Sequence, residues 1–207
     1  MALELETKFS LDDCLAFEQR MSAQCINITP WHFETNIVYD RNGELFQADM
    51  LLRLRMTDHG ILTLKTPSPS HETGSLKARL ETECNVQQPA ALHQILCALG
   101  YLPRLRYEKF RSIWKLANAK LFLDILPFGH FLEIEGTEAS IAGCCHALGL
   151  NPQNGLADNY HGLHQAWRKQ HALAPDDNFI FQDNEKNRLM LLLECAPADA
   201  IGEIHAH

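Results

Sequence analysis

A β-dominated α+β fold is predicted by three observations: eight short segments with strand-like character, four helix-like segments among them, and turn chemistry joining many of them. The strand-like segments are 2–9, 32–39, 50–56, 61–66, 77–84, 107–116, 120–126 and 130–136, and eight strands suffice to close an antiparallel barrel. The joining stretches include "DRNG" (40–43), "DHG" (58–60), "PSPS" (67–70) and "PFG" (127–129). Each carries Gly, Pro, Asn, Asp or Ser, the residues that turn geometry selects.

The first strand, "ALELETKFS" (2–10), alternates without a break. In an extended chain Leu3, Leu5, Thr7 and Phe9 point one way, and Glu4, Glu6 and Lys8 the other. A helix is expected over 10–23, with Ser10 as N-cap and acids in its first turn. Another spans 89–101, with Pro89 at its start and Gly100 past its end. The helix at 140–150 ends the same way at Gly149, and one at 160–172 carries its basic residues late. "LETK" (5–8) and "LETE" (80–83) each precede a helix and three strands, an order of elements that points to an internal duplication. One domain is expected over 1–172. The tail, 173–207, is polar and then apolar, and is expected as an arm on the barrel or on a second subunit, which leaves a homodimer open.

Bulk properties exclude several classes. At 207 residues, 46% apolar and 21% charged, the chain can bury a core as an ordinary globular protein. A net charge of −8 argues against a general binder of nucleic acid or anionic membrane. The apolar run "LMLLLECA" (189–196) is far short of the roughly 18 residues of a membrane span. The acidic N-terminal stretch is unlike a signal peptide, so a cytoplasmic protein is expected. Seven cysteines, an odd number without a CxxC spacing, read as reduced and mostly buried thiols.

The charged face of the first strand recurs. In phase with one another lie Arg53 and Arg55 in "LLRLRM", Lys65 in "ILTLKT", and Lys77, Arg79, Glu81 and Glu83 in "KARLETEC". Lys109 and Arg111, Asp124, and Glu133 and Glu135 follow on later strands. Seven acids and eight bases thus share one side of one sheet. An open sheet with that side in water would make each pair worth only about 0–1 kcal/mol. A closed barrel would turn the charges inward, where unpaired they are very costly to bury, so the interior would have to hold water, ions and a highly charged ligand. Arginine matches oxyanions bidentately and paired carboxylates match hard divalent cations, a combination suited to a metal–polyphosphate complex.

The ordered series Glu4-Leu5-Glu6-Thr7-Lys8 (an ExExK strand), "HFETNIVYD", "LLRLR", "LTLKTP", "KARLETE", "EKFRSIW" and "LDILPFGHFLEIEG" resembles the CYTH superfamily, or triphosphate tunnel metalloenzymes. The resemblance covers roughly 2–165. It implies an eight-stranded antiparallel barrel forming a tunnel, with helices packed outside. It implies Glu4, Glu6, Glu133 and Glu135, with Asp124 and Glu81, as metal-site carboxylates for one or two Mg²⁺ or Mn²⁺ ions. Lys8, Arg53, Arg55, Lys65, Arg79, Lys109 and Arg111 would hold a small-molecule triphosphate. Lys65 and Tyr39 occupy the positions of a Lys–Tyr pair that activates water in thiamine-triphosphatase-like members, and a lysine crowded by arginines could have a lowered pKa. The activities implied are triphosphate hydrolysis or, alternatively, class IV-type adenylate cyclisation, with a non-catalytic polyphosphate- or nucleotide-binding module as a third reading. His161 and His164, or His205 and His207, lack an HExxH context, and no GxxxxGK[ST] or GxGxxG loop occurs. Tyr160 is expected to pack rather than react.

Overall fold

The computed structural model describes residues 2–68 and 76–195; part of the expected turn at 67–70, the last residues of the tail, and His205 and His207 lie outside them. Strands β1 (Ala2–Leu11), β2 (Ile26–Asp40), β3 (Leu51–Met56), β4 (Gly60–Pro67), β5 (Lys77–Val86), β6 (Leu102–Leu116), β7 (Ala119–Leu126) and β8 (Gly129–Glu135) close one antiparallel barrel. Around the barrel their order is β1-β5-β4-β3-β2-β6-β7-β8. β1 effects the closure: residues 2–6 pair with β5 and residues 6–11 with β8, the stagger that a tilted, closed sheet requires.

The hydrophobic core lies outside the barrel. Outward residues of the strands, among them Phe9, Phe110, Leu121, Leu123, Leu132 and Ile134, pack beneath α1 (Cys14–Met21), α4 (Glu138–Ala147) and α6 (Asp183–Leu192). Ile37, Tyr39, Leu54 and Met56 pack with Leu96 of α3 (Pro89–Ala98). Each large side chain buried this way stabilises the fold by roughly 1.5–3 kcal/mol. With that supply of apolar burial outside, the interior is free to be polar.

Register bears out the duplication. On β1 and β5, Glu4 stands opposite Arg79; on β2 and β6, Glu34 stands opposite Lys109. Both pairs are 75 positions apart in sequence, the offset that also aligns "LETK" with "LETE". Shifting one half of the chain onto the other about these pairs exchanges β1 with β5, β2 with β6, β3 with β7 and β4 with β8, and every neighbour in the ring is preserved. At both axis pairs an acid in the first half faces a base in the second.

Some element ends differ from the sequence reading. Ser10 does not cap α1: it lies in β1 opposite Phe131, and Asp13 caps instead, accepting from the amides of Leu15 and Ala16. β2 and β6 run further than expected, 15 residues each, because they pair with one another across irregular register. The short α2 (Glu44–Gln47) follows Asp40, whose carboxylate accepts from the amides of Arg41, Leu45 and Phe46. Gly100 and Gly149 do follow their helices, at φ +86° and +66°. That is the left-handed conformation in which a side chain is strained. Beyond α5 (Tyr160–Gln170), Phe179 and Phe181 are buried against the barrel and α6 covers it. All seven cysteines are free, four of them buried. Among the described residues no helix is long and apolar enough to cross a membrane.

Candidate active site: a charged tunnel

Fourteen of the fifteen charged residues in the predicted phase line one cavity of about 550 Å³ inside the barrel. The exception, Asp124, is completely buried behind that lining.

The acids gather where β1 meets β8. Each strand carries an ExE doublet, and the register sets Glu6 opposite Glu135 and Lys8 opposite Glu133. Glu4, Glu6, Glu133 and Glu135 each bring a carboxylate oxygen to within 4.8 Å of the others. Four carboxylates this close cannot all ionise freely. Burial, then the charge of Glu133 and a hydrogen bond with Glu4, push the Glu135 carboxyl up to about 10. Burial acts the same way on Glu4 but is outweighed by that bond and by Lys65, so Glu4 is held far below the usual range. The pair therefore shares one proton, donated by Glu135. At Glu133, burial is overcome by Lys8 and Arg111 and the carboxyl stays ionised. This donor set fits a hard divalent cation: it is all oxygen, two of its members are buried, and it holds a proton that a cation would displace.

Two lysines bind the acids directly. Lys8 Nζ lies 2.6 Å from Glu6 and 3.5 Å from Glu133; Lys65 Nζ lies 2.6 Å from Glu4 and 3.7 Å from Glu81. Burial disfavours the Lys65 ammonium, yet Glu6 and Glu4 outweigh it and push its pKa up, not down. Lys77 behaves oppositely: burial, with the charges of Lys8 and Arg79, pushes it down despite Glu6. Glu81 lies outside the four-carboxylate group. Burial and Glu4 raise it to about 7 against the pull of Lys65.

The remaining bases are each engaged by a neighbouring acid or hydroxyl. Arg111 makes a bidentate pair with Asp124, Nε to Oδ1 at 2.7 Å and Nη2 to Oδ2 at 2.6 Å. Lys109 lies 3.4 Å from Asp124 and 3.6 Å from Glu34, and the Tyr160 hydroxyl donates to Asp124 at 2.7 Å. Arg55 lies 3.3 Å from Glu83, Arg79 lies 2.9 Å from Asp49, and Arg53 donates to the Tyr107 hydroxyl at 3.1 Å. Paired and buried guanidinium groups are held in place before any ligand arrives.

Two further expectations need correction. Asp124 has its oxygens engaged by Arg111, Lys109 and Tyr160, so it is an ion-pair anchor and not a member of the carboxylate cluster. Tyr39 does not meet Lys65: its hydroxyl bonds His93 Nδ1 at 2.8 Å, amid the apolar cluster with Leu54 and Leu96, because strand alternation turns it outward. Tyr160 packs as expected, in the buried cluster with Phe131 and Phe179, and its hydroxyl also donates to Asp124 while its ring lies 5.4 and 5.6 Å from the Lys8 and Lys109 ammonium groups. Sequence reasoning also missed Glu34 and Tyr107. Glu34 is in phase within "HFETNIVYD", but the polar Thr35 on the apolar side and the apolar Val38 on the charged side blur the alternation that would have flagged it.

The closed barrel thus encloses a tunnel with charges of both signs inside and four carboxylates grouped at one seam. The chain belongs to the CYTH domain family, which matches residues 2–143 and whose members are typically triphosphatases or cyclases. No curated protein matches the sequence. Among solved structures, the chain is similar to a putative adenylate cyclase from Vibrio parahaemolyticus at 20% identity and a TM-score of 0.65, covering 78% of this chain and 97% of that one. A protein from Pyrococcus horikoshii matches with the same identity, score and coverage. A protein from Hippeastrum, described as a putative adenylyl cyclase with a dominant triphosphatase activity, is 13% identical with a TM-score of 0.56, covering 86% of this chain and 99% of that one. At these identities the likeness carries the fold.

Proposed function

We propose that the protein is a divalent-metal-dependent triphosphate hydrolase acting on inorganic tripolyphosphate or an organic triphosphate. The observation that carries this reading is the four-carboxylate cluster of β1 and β8 sharing one cavity with the bases of β3, β4, β5 and β6. Glu4, Glu6, Glu133 and Glu135 would hold Mg²⁺ or Mn²⁺, which supplies charge neutralisation at phosphoryl oxygens when bound. Arg53, Arg55, Arg79, Lys109 and Arg111 bind and orient the phosphate chain, and Lys8 and Lys65 link it to the acids. Phosphoryl transfer depends mainly on such positioning and electrostatic stabilisation. Of the lysines beside the acids, Lys77 is the one whose pKa is shifted downward, by burial and the charges of Lys8 and Arg79, whereas Lys65 is shifted upward, so Lys77 is the better candidate for taking a proton from the attacking water. The Hippeastrum protein, named as a putative cyclase yet described by a dominant triphosphatase activity, is a precedent for hydrolysis on this fold.

The test is one panel with Mg²⁺ or Mn²⁺, offering tripolyphosphate, thiamine triphosphate and ATP, and reading orthophosphate, pyrophosphate and cyclic AMP. Orthophosphate release that stops on chelation of the metal is expected. Cyclic AMP and pyrophosphate from ATP, with no orthophosphate from any substrate, would replace hydrolase with cyclase.

A further inference from the structure

β7 pairs with β6 only over residues 110–116, while β2 runs along the other side of β6. The first half of β6 therefore has an open edge, and the chain after α5 fills it. Phe179 donates its amide to the Arg106 carbonyl at 3.1 Å and accepts from the Glu108 amide at 3.0 Å, a parallel bridge beside Tyr107. Asn178 Oδ1 accepts from the Arg106 amide at 2.7 Å, and Glu108 accepts from the Phe181 amide and from Lys186. This arm lies beyond residues 2–143, the part of the chain that the family match covers.

The arm reaches the tunnel through one ring. Phe179 is 3% exposed, lines the cavity, and stacks on Tyr107 with centroids 4.9 Å apart and planes at 20°. Phe128 and His164 close around its other sides at 5.4 and 4.9 Å. Tyr107 in turn presents its hydroxyl to Arg53 Nη1, and Arg53 Nη2 is steadied at Thr63 Oγ1, 3.4 Å away. A continuous chain of contacts thus runs from the arm to a guanidinium that lines the cavity.

We infer that Phe179 is a positioning residue: by completing the open edge of β6 and clamping the Tyr107 ring, the C-terminal arm fixes Arg53 in the orientation that binds triphosphate. The inference rests on the triphosphate-binding reading of the tunnel. Arm docking and ligand binding are then coupled, because each stabilises the same Arg53 geometry.

The experiment uses the full chain with Mn²⁺ and a methylene-bridged tripolyphosphate analogue in a calorimetric titration, beside KM and kcat for tripolyphosphate. Phe179→Leu keeps most of the volume and loses the stack. It is expected to raise Kd and KM roughly 2- to 10-fold, the range of an aromatic pair, with kcat held. Tyr107→Phe keeps the stack, loses the hydroxyl, and is expected to do the same. The double variant should be worse than either single by much less than the product, since both act through Arg53. If Phe179→Leu does not fold, Asn178→Ala, which removes one anchoring bond of the arm, should shift Kd in the same direction. Folded variants with wild-type Kd and only a lower melting temperature would overturn the inference while leaving the tunnel reading intact. No binding of the analogue by the wild-type protein would overturn both.

Discussion

Asp124→Asn separates an ion-pair anchor from a metal ligand. The substitution conserves shape but removes a fully buried charge on which Arg111, Lys109 and Tyr160 converge. One acceptor oxygen becomes an NH₂ group facing the Arg111 fork, and two buried cations lose their nearest counter-charge. Breaking a buried pair from one side costs about 3–5 kcal/mol. In a domain of this size each kcal/mol moves the melting temperature by roughly 2–4 °C, so a drop of roughly 6–20 °C is expected by scanning calorimetry. Mn²⁺ affinity, measured by titration well below that transition, should stay within about twofold because the four-carboxylate cluster is untouched. An unchanged melting temperature together with lost Mn²⁺ binding would refute this reasoning and return Asp124 to the metal site.

Metal binding should depend on pH, since Glu135 must release the proton that it shares with Glu4. Mn²⁺ affinity is expected to rise up to about tenfold per pH unit between pH 5 and 8 and to flatten in Glu135→Gln, which should also lose turnover; affinity independent of pH would count against the shared proton. Stability follows the same group. The folded state holds the Glu135 proton more tightly than the unfolded state, so its contribution is complete below the ordinary value of 4.5 and is lost as pH rises toward about 10. The metal-free melting temperature should therefore fall over that window, and Mn²⁺ should restore it. Tyr39→Phe removes only a hydroxyl bound to His93 outside the barrel, so kcat/KM is expected within about twofold of wild type; a fall in kcat of an order of magnitude would put Tyr39 back in the chemistry.

Alternation and charge phase were enough, by themselves, to determine the strand count and the side of each strand that carries the acids and bases. A strand has a period of two, so once Leu5 is assigned to the core side, the orientation of Glu4 and Glu6 follows without any knowledge of neighbours. The duplication was also legible, though faintly, in "LETK" and "LETE". Tertiary structure alone decided which acids meet. Nothing in "LDILPFG" says that Asp124 faces Arg111 on β6, whereas Glu133 and Glu135 on the next strand face β1. The difference is register, a long-range property set by how the sheet closes. The same holds for Tyr39, whose motif position suggested chemistry but whose phase on β2 sends its hydroxyl to α3. It holds most fully for Phe179: it sits in the short apolar run "FIF" (179–181) within a polar tail, nothing in that run says which ring turns inward, and only the open edge of β6, some 70 residues earlier in the chain, gives the Phe179 ring a place beside the tunnel.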